Sequence, residues 1–183
     1  MGKVFVQYYS ETGNTKQMAE LVAEGAREIP GIEVRVKSIV DSEFNDLLWM
    51  DGIALGAPTH LGSIPWTVKR FWDKASGEVW GKIDGKLGCA FSSAGGLGGG
   101  PEITCLGLLT VLMNYGIMTF GVTDYVAKQR TLHYGAAIPG EPRTQAEKAI
   151  CRRLGLRLAE WVSFYIDKRS QSHPRVAQYS RFT

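Results

Sequence analysis

Six residues, Ser10-Glu11-Thr12-Gly13-Asn14-Thr15, join an apolar run (residues 3–9) to a pattern of helical period that begins near Lys16. A short apolar run followed by a switch to helical period makes a strand-turn-helix unit. Hydroxyls, a glycine and an amide in such a turn suit a phosphate, which is wrapped by backbone N–H groups and short side chains. The turn has no lysine, so it is not the Walker pattern, and the GxGxxG dinucleotide spacing is absent too. A lone phosphate monoester among several donors points to a mononucleotide such as FMN. An ordinary helix N-cap, with Thr12 or Asn14 as the capping residue, accounts for the same residues.

The rest of the chain repeats this alternation. A helix is predicted from about Lys16 to Ile29, with Met18, Leu21, Val22 and Ala26 turned inward and Pro30-Gly31 ending it. Residues 32–36 alternate as an exposed second strand, and a polar connection runs through Asp46 to Asp51. Residues 52–56 form a buried parallel strand, and residues 64–76 a helix opened by Pro65 and Trp66. A fourth strand covers 86–92, a helix 102–114 and a fifth strand 117–120. A turn-rich stretch, 121–143, precedes a last helix capped by Thr144 and reaching about Lys168. The economical solution is one α/β domain, an open parallel sheet covered on both faces.

Three segments follow the carboxyl ends of strands one, three and four: 10–15, 57–63 and 92–100. In an open α/β sheet these ends converge on one crevice. Pro58, Thr59, His60, Leu61 and Gly62 mix rigid, apolar and hydrogen-bonding groups, as the edge of a flat heterocycle requires. His60 suits a ring edge or a reacting substrate, and equally an ordinary loop histidine. The third segment, Ser92, Ser93, Ala94, Gly95, Gly96, Leu97 and Gly98 through Gly100, lets backbone approach a ligand closely, or is a flexible surface loop. Glu102 falls where a carboxylate favours a helix start. Trp80 lies outside regular structure, where an aromatic either roofs a flat substrate or packs on the sheet.

Charge narrows the partners. The net charge of +3 is local: residues 168–183 hold Lys168, Arg169, Arg175 and Arg181 and no acid, leaving 17 basic against 18 acidic residues in 1–167. A near-neutral body argues against a nucleic-acid-binding surface. Cys89, Cys105 and Cys151 are far apart and form no CxxC pair, so neither a metal site nor a disulfide framework is expected. No signal peptide or spanning apolar stretch is apparent, and a soluble cytoplasmic protein is the expectation.

These residues resemble the flavodoxin-like superfamily. The closer likeness is to the tryptophan-repressor-binding-protein-like family of FMN-dependent NAD(P)H:quinone oxidoreductases. The pieces that carry it are Thr12-Gly13-Asn14-Thr15 with Met18-Ala19, Gly56 to Ser63, Phe71-Trp72-Asp73, Trp80 and Gly85-Lys86. Phe91 to Gly95, Gly98 to Glu102, Tyr115-Gly116-Ile117, Tyr134-Gly135-Ala136 and Pro142-Arg143 continue it. The resemblance implies a three-layer sandwich with a five-stranded parallel sheet of order 2-1-3-4-5 over residues 1–167, one FMN, and a tetramer or dimer; the basic tail at 168–183 lies outside it. It sets the phosphate on Ser10, Thr12, Gly13, Asn14 and Thr15, and the flavin ring on residues 58–62 and 92–98.

The same likeness implies that Trp80 lines the substrate side. It implies that Tyr115, where the family often has a histidine, reaches a neighbouring subunit's site. His60, Trp80 and Tyr115 are then the candidate catalytic contacts, tuning the transfer of two electrons from NAD(P)H through FMN to a quinone. The rival expectation is a flavodoxin-type carrier reduced by a protein partner. Such carriers are typically strongly acidic, unlike this near-neutral body.

Overall fold

The computed structural model describes residues 1–126 and 130–174. Strand β1 (Lys3–Tyr8) leads into α1 (Asn14–Arg27), then β2 (Glu33–Ser38), a short α2 (Phe44–Trp49) and β3 (Gly52–Pro58). Then come α3 (Trp66–Val79), β4 (Leu87–Ala94), α4 (Pro101–Asn114) and β5 (Met118–Thr119). β6 (Val122–Val126), β7 (Arg130–Leu132), β8 (Ala136–Pro139) and α5 (Gln145–Tyr165) complete the order, with a 3-10 turn at Ser170–Ser172.

The main sheet is parallel and ordered β2-β1-β3-β4-β5, as the alternation and the resemblance led us to expect. Alternate residues of each strand feed opposite cores. Val4 and Val6 of β1 pack with Met18 and Val22 of α1 and Leu154 and Leu158 of α5. Phe5 enters the other core with Leu47, Trp72 and Leu108, beneath α2, α3 and α4.

The fifth position of the sheet is divided. β5 pairs only Leu87 and Gly88 of β4, and β8 takes up the same edge at Phe91 to Ala94. Between them the chain leaves the edge and forms the antiparallel pair β6–β7. The turn-rich stretch therefore hides three short strands. The polar connection before β3 is also structured: α2 is closed by a reciprocal capping box between Glu43 and Asp46. The Lys86 ammonium holds its far end, donating to the carbonyls of Leu47, Leu48 and Met50 at 2.6–3.0 Å.

Thr144 caps α5 as expected. Its Oγ1 accepts the Glu147 N–H at 3.2 Å, and the Glu147 carboxylate accepts the Thr144 N–H at 2.9 Å. That backbone hydrogen bond, first among several donors, holds the Glu147 carboxyl below its ordinary value of 4.5. A depressed folded value means the stabilisation is complete above pH 4.5 and is lost as pH falls through the folded value. Thr144→Ala is expected to cost about 1 kcal/mol in urea unfolding at neutral pH. Glu147→Gln should flatten the acid limb of stability against pH.

Of the basic tail, residues 175–183 lie outside the described residues. Before them, the Arg169 guanidinium donates to the Pro30 carbonyl, and His173 sits edge-on to both Trp161 and Phe164. Among the described residues no helix is long and apolar enough to cross a membrane.

Candidate functional site

The three loops past β1, β3 and β4 meet through hydrogen bonds. Gly13 takes φ +94°, a left-handed conformation that glycine adopts without strain, and donates its N–H to Ser10 Oγ at 3.1 Å. It is itself the N-cap of α1, so neither Thr12 nor Asn14 caps the helix, and no side chain does. The first N–H groups of α1, at the positive end of the helix dipole, are thereby left for an outside acceptor such as phosphate. The Thr15 hydroxyl turns inward and shares a 2.8 Å hydrogen bond with Ser93 Oγ.

Ser93 joins this turn to the loop after β3, because its carbonyl accepts the Thr59 N–H at 2.7 Å. Beyond Thr59, His60 and Ser63 exchange two backbone hydrogen bonds of 2.9 Å around Leu61-Gly62. Both turn residues have positive φ, +45° and +85°. A branched residue is rare in that conformation, and such strain collects at ligand sites. The Leu61 side chain stands wholly in solvent, and Leu97 of the glycine-rich loop is 93% exposed. Two apolar side chains held out from two loops suit the faces of a flat ring. Thr104 Oγ1 on α4 donates to Thr59 Oγ1 at 2.8 Å and steadies the same loop.

The glycines test whether a nucleotide fits. A Cβ added at Gly13, Gly62, Gly95, Gly96 or Gly98 would meet no atom of the chain within 4 Å. These backbones border open space on all three loops, as a cradle for FMN requires. Gly13→Val places a β-branched residue at φ +94°, and is expected to cost roughly 1–3 kcal/mol of stability and to weaken FMN binding by about tenfold or more, since it also crowds charge-assisted donors. Fluorescence titration of FMN beside a urea melt would check it.

His60 belongs to this cluster. Its Nε2 lies 3.5 Å from Glu11 Oε2, and its ring meets Tyr9 edge-on. Trp80 and Tyr115 do not. Each follows the last residue of its helix, α3 or α4, and those helices start at the carboxyl edge of the sheet. A 14-residue helix is about 21 Å long, so both aromatics lie at the opposite edge from the three loops. There they meet each other, ring centroids 5.5 Å apart, and the Tyr115 hydroxyl donates to the Trp72 carbonyl. Burial and the nearby Asp73 push that phenol up. The thiols of Cys89, Cys105 and Cys151 are buried, and burial pushes each far up, so they stay protonated. Among the described residues no His, Cys, Asp and Glu cluster could hold a metal.

The profile described as Flavodoxin matches residues 6–100, a span that includes all three loops. A flavodoxin of Aquifex aeolicus (strain VF5) is 58% identical over 171 residues, covering 93% of this chain and 92% of its own. The chain belongs to the flavodoxin family. Its cofactor is FMN, and its activity is FMN-dependent electron transfer. A NAD(P)H dehydrogenase (quinone) of Methylocella silvestris is more distant, 34% identical over 194 residues, covering 87% of this chain and 96% of its own. Among solved structures, a flavodoxin from the domain Archaea superposes with TM-score 0.70 at 27% identity, over 88% of this chain and 99% of the other.

Proposed function

We propose that this protein is a flavodoxin-type electron carrier, reduced and reoxidised by protein partners. The observation that carries the reading is the likeness to the Aquifex aeolicus flavodoxin at 58% identity over nearly the whole of both chains. The site supports it: of the three candidate catalytic side chains, only His60 stands beside the loops of its own chain. When bound, FMN supplies the redox chemistry. The chain's part is to grip the phosphate with the α1 N-terminus, Ser10 and Thr12. Leu61 and Leu97 would keep water from the faces of a bound ring, and backbone donors of residues 94–98 would serve its polar edge.

A second reading is an NAD(P)H:quinone oxidoreductase, favoured by relatives of that name at 34–35% identity. It needs an oligomer, because Trp80 and Tyr115 serve a flavin only if a neighbouring subunit brings them to it. Anaerobic stopped-flow mixing of the FMN-loaded protein with NADH, NADPH and then benzoquinone separates the two. The carrier reading expects negligible reduction by either nucleotide and two resolved one-electron steps in a potentiometric titration. Rapid two-electron reduction by a nucleotide, followed by rapid reoxidation by the quinone, would overturn it.

A further inference from the structure

The two threonines of α4 use their hydroxyls differently. Thr110, on the exposed side, donates to the carbonyl of Leu106, four residues back, at 2.9 Å. That is the ordinary bond of a threonine inside a helix. Thr104 is wholly buried, and the corresponding oxygen, that of Gly100, lies 3.5 Å away, beyond the usual O–H···O range. Its proton goes instead to Thr59 Oγ1 at 2.8 Å, 45 residues away in the loop after β3.

A hydroxyl carries one proton and two lone pairs. Thr59 Oγ1 accepts from Thr104, so its own proton is left for another acceptor, and none is found for it among the described residues. Thr59 is half-buried, and its backbone is held as well, the N–H donating to the Ser93 carbonyl at 2.7 Å. Ser93 Oγ in turn shares its hydrogen bond with Thr15. A run of hydrogen bonds therefore leads from α4 through both loops assigned to the ring and on to the phosphate turn. Thr104 is its buried end, one turn past Gly100, where the glycine-rich loop gives way to α4.

We propose that Thr104 is a positioning residue for the flavin: by donating to Thr59 it makes the Thr59 hydroxyl a donor toward the bound ring. Thr104 acts only through Thr59. A hydroxyl that accepts one hydrogen bond donates a stronger one. A fixed donor beside the ring favours the form with more electron density, so the pair raises the chain's preference for reduced over oxidised FMN. Without the Thr104 hydroxyl, Thr59 is free to turn and that preference falls. The inference rests on FMN as the cofactor and holds for a carrier and a reductase alike.

Potentiometric titration of the FMN-loaded protein, beside FMN binding by the apoprotein, is the test. The variants are Thr104→Val, Thr104→Ser, Thr59→Val and the double valine variant; valine matches threonine in shape and lacks the hydroxyl. Thr104→Val is expected to weaken the hold on reduced FMN about three- to tenfold more than that on oxidised FMN, the size of one hydrogen bond. Thr104→Ser keeps the hydroxyl and should stay within about twofold of the wild type. Thr59→Val should show the same loss, and adding Thr104→Val to it should change the preference no further. Wild-type potentials in Thr104→Val overturn the proposal, as does a serine variant that behaves like the valine one. An equal effect of Thr104→Val with and without the Thr59 hydroxyl also overturns it. Should Thr104→Val hold no flavin, wild-type potentials in Thr59→Val overturn it from the other end of the bond, and a loss in Thr59→Val with wild-type behaviour in Thr104→Ser supports it.

Discussion

Replacing Asp124 with alanine is expected to lower the free energy of unfolding by about 3–5 kcal/mol, the cost of breaking a buried ion pair from one side. Asp124 lies on β6, off the main sheet, and is 7% exposed. It accepts from the guanidinium of Arg153, and from Arg157 Nη2 at 3.0 Å. Both arginines also bind Glu160, at 3.2 and 2.9 Å, and all three α5 side chains are buried. Two positive and two negative groups thus close on one another. Without Asp124, two guanidiniums face a single carboxylate in a medium where unpaired charge is poorly tolerated. Urea unfolding of wild type, Asp124→Ala and Asp124→Asn would measure it. A loss below about 1 kcal/mol would mean that the quartet is solvated rather than buried. Exchanging the whole quartet for apolar residues of equal volume should cost far less than removing one member.

Gly155→Val is expected to destabilise the protein by about 3 kcal/mol or more, the upper range for overpacking a close contact. A Cβ at Gly155 would lie 1.8 Å from the Val22 carbonyl oxygen, and one at Gly25 would lie 1.9 Å from that of Arg152. The obstacle in each case is backbone, which no rotamer change can move aside. α1 and α5 therefore cross with a glycine of each against the carbonyl of the other. The valine variant must part the helices and open the core around Val22, Leu154 and Leu158. Thermal unfolding followed by circular dichroism would register it. Gly140→Val is the control, because a Cβ there meets nothing within 4 Å, although its φ of +76° adds a smaller strain.

The sequence made the first βα unit readable because its signals agree: an apolar run, a turn with Gly13 and a helical period all point one way. The same agreement placed α3, α4 and the Thr144 cap. The divided fifth strand was not readable. Its first half, β5, lies within the strand read at 117–120, but β7 has three residues and β8 four, too few for a period, and the glycines and prolines around them read as loop. Six residues hold less than two turns, so α2 carries no helical period and its residues read as a connection. At the site, an ordinary cap at Thr12 or Asn14 and a left-handed Gly13 predict the same residues, and only φ tells them apart. Tyr115 rests on likeness alone and Trp80 on likeness and its place outside regular structure, and helix length separates both from His60 within one chain. The quartet is not legible in the sequence, because Asp124, Arg153, Arg157 and Glu160 individually read as surface charges. Nothing local says that β6 and α5 meet.

The divided strand bears on how this fold tolerates change. Thr119 pairs with Gly88 and Ala136 with Phe91, so the two halves stop only two rungs apart on β4. That gap is about 10 Å along a strand, short enough for a couple of residues to bridge. Residues 120–135 are thus a detour inserted into a strand whose two ends are already fixed. Because closure entropy grows only slowly with length, this excursion can be lengthened, trimmed or exchanged while the sheet keeps its register. Its footing on α5 is a set of opposite charges beside the buried Val122 and Leu132, and a different detour would have to supply both again.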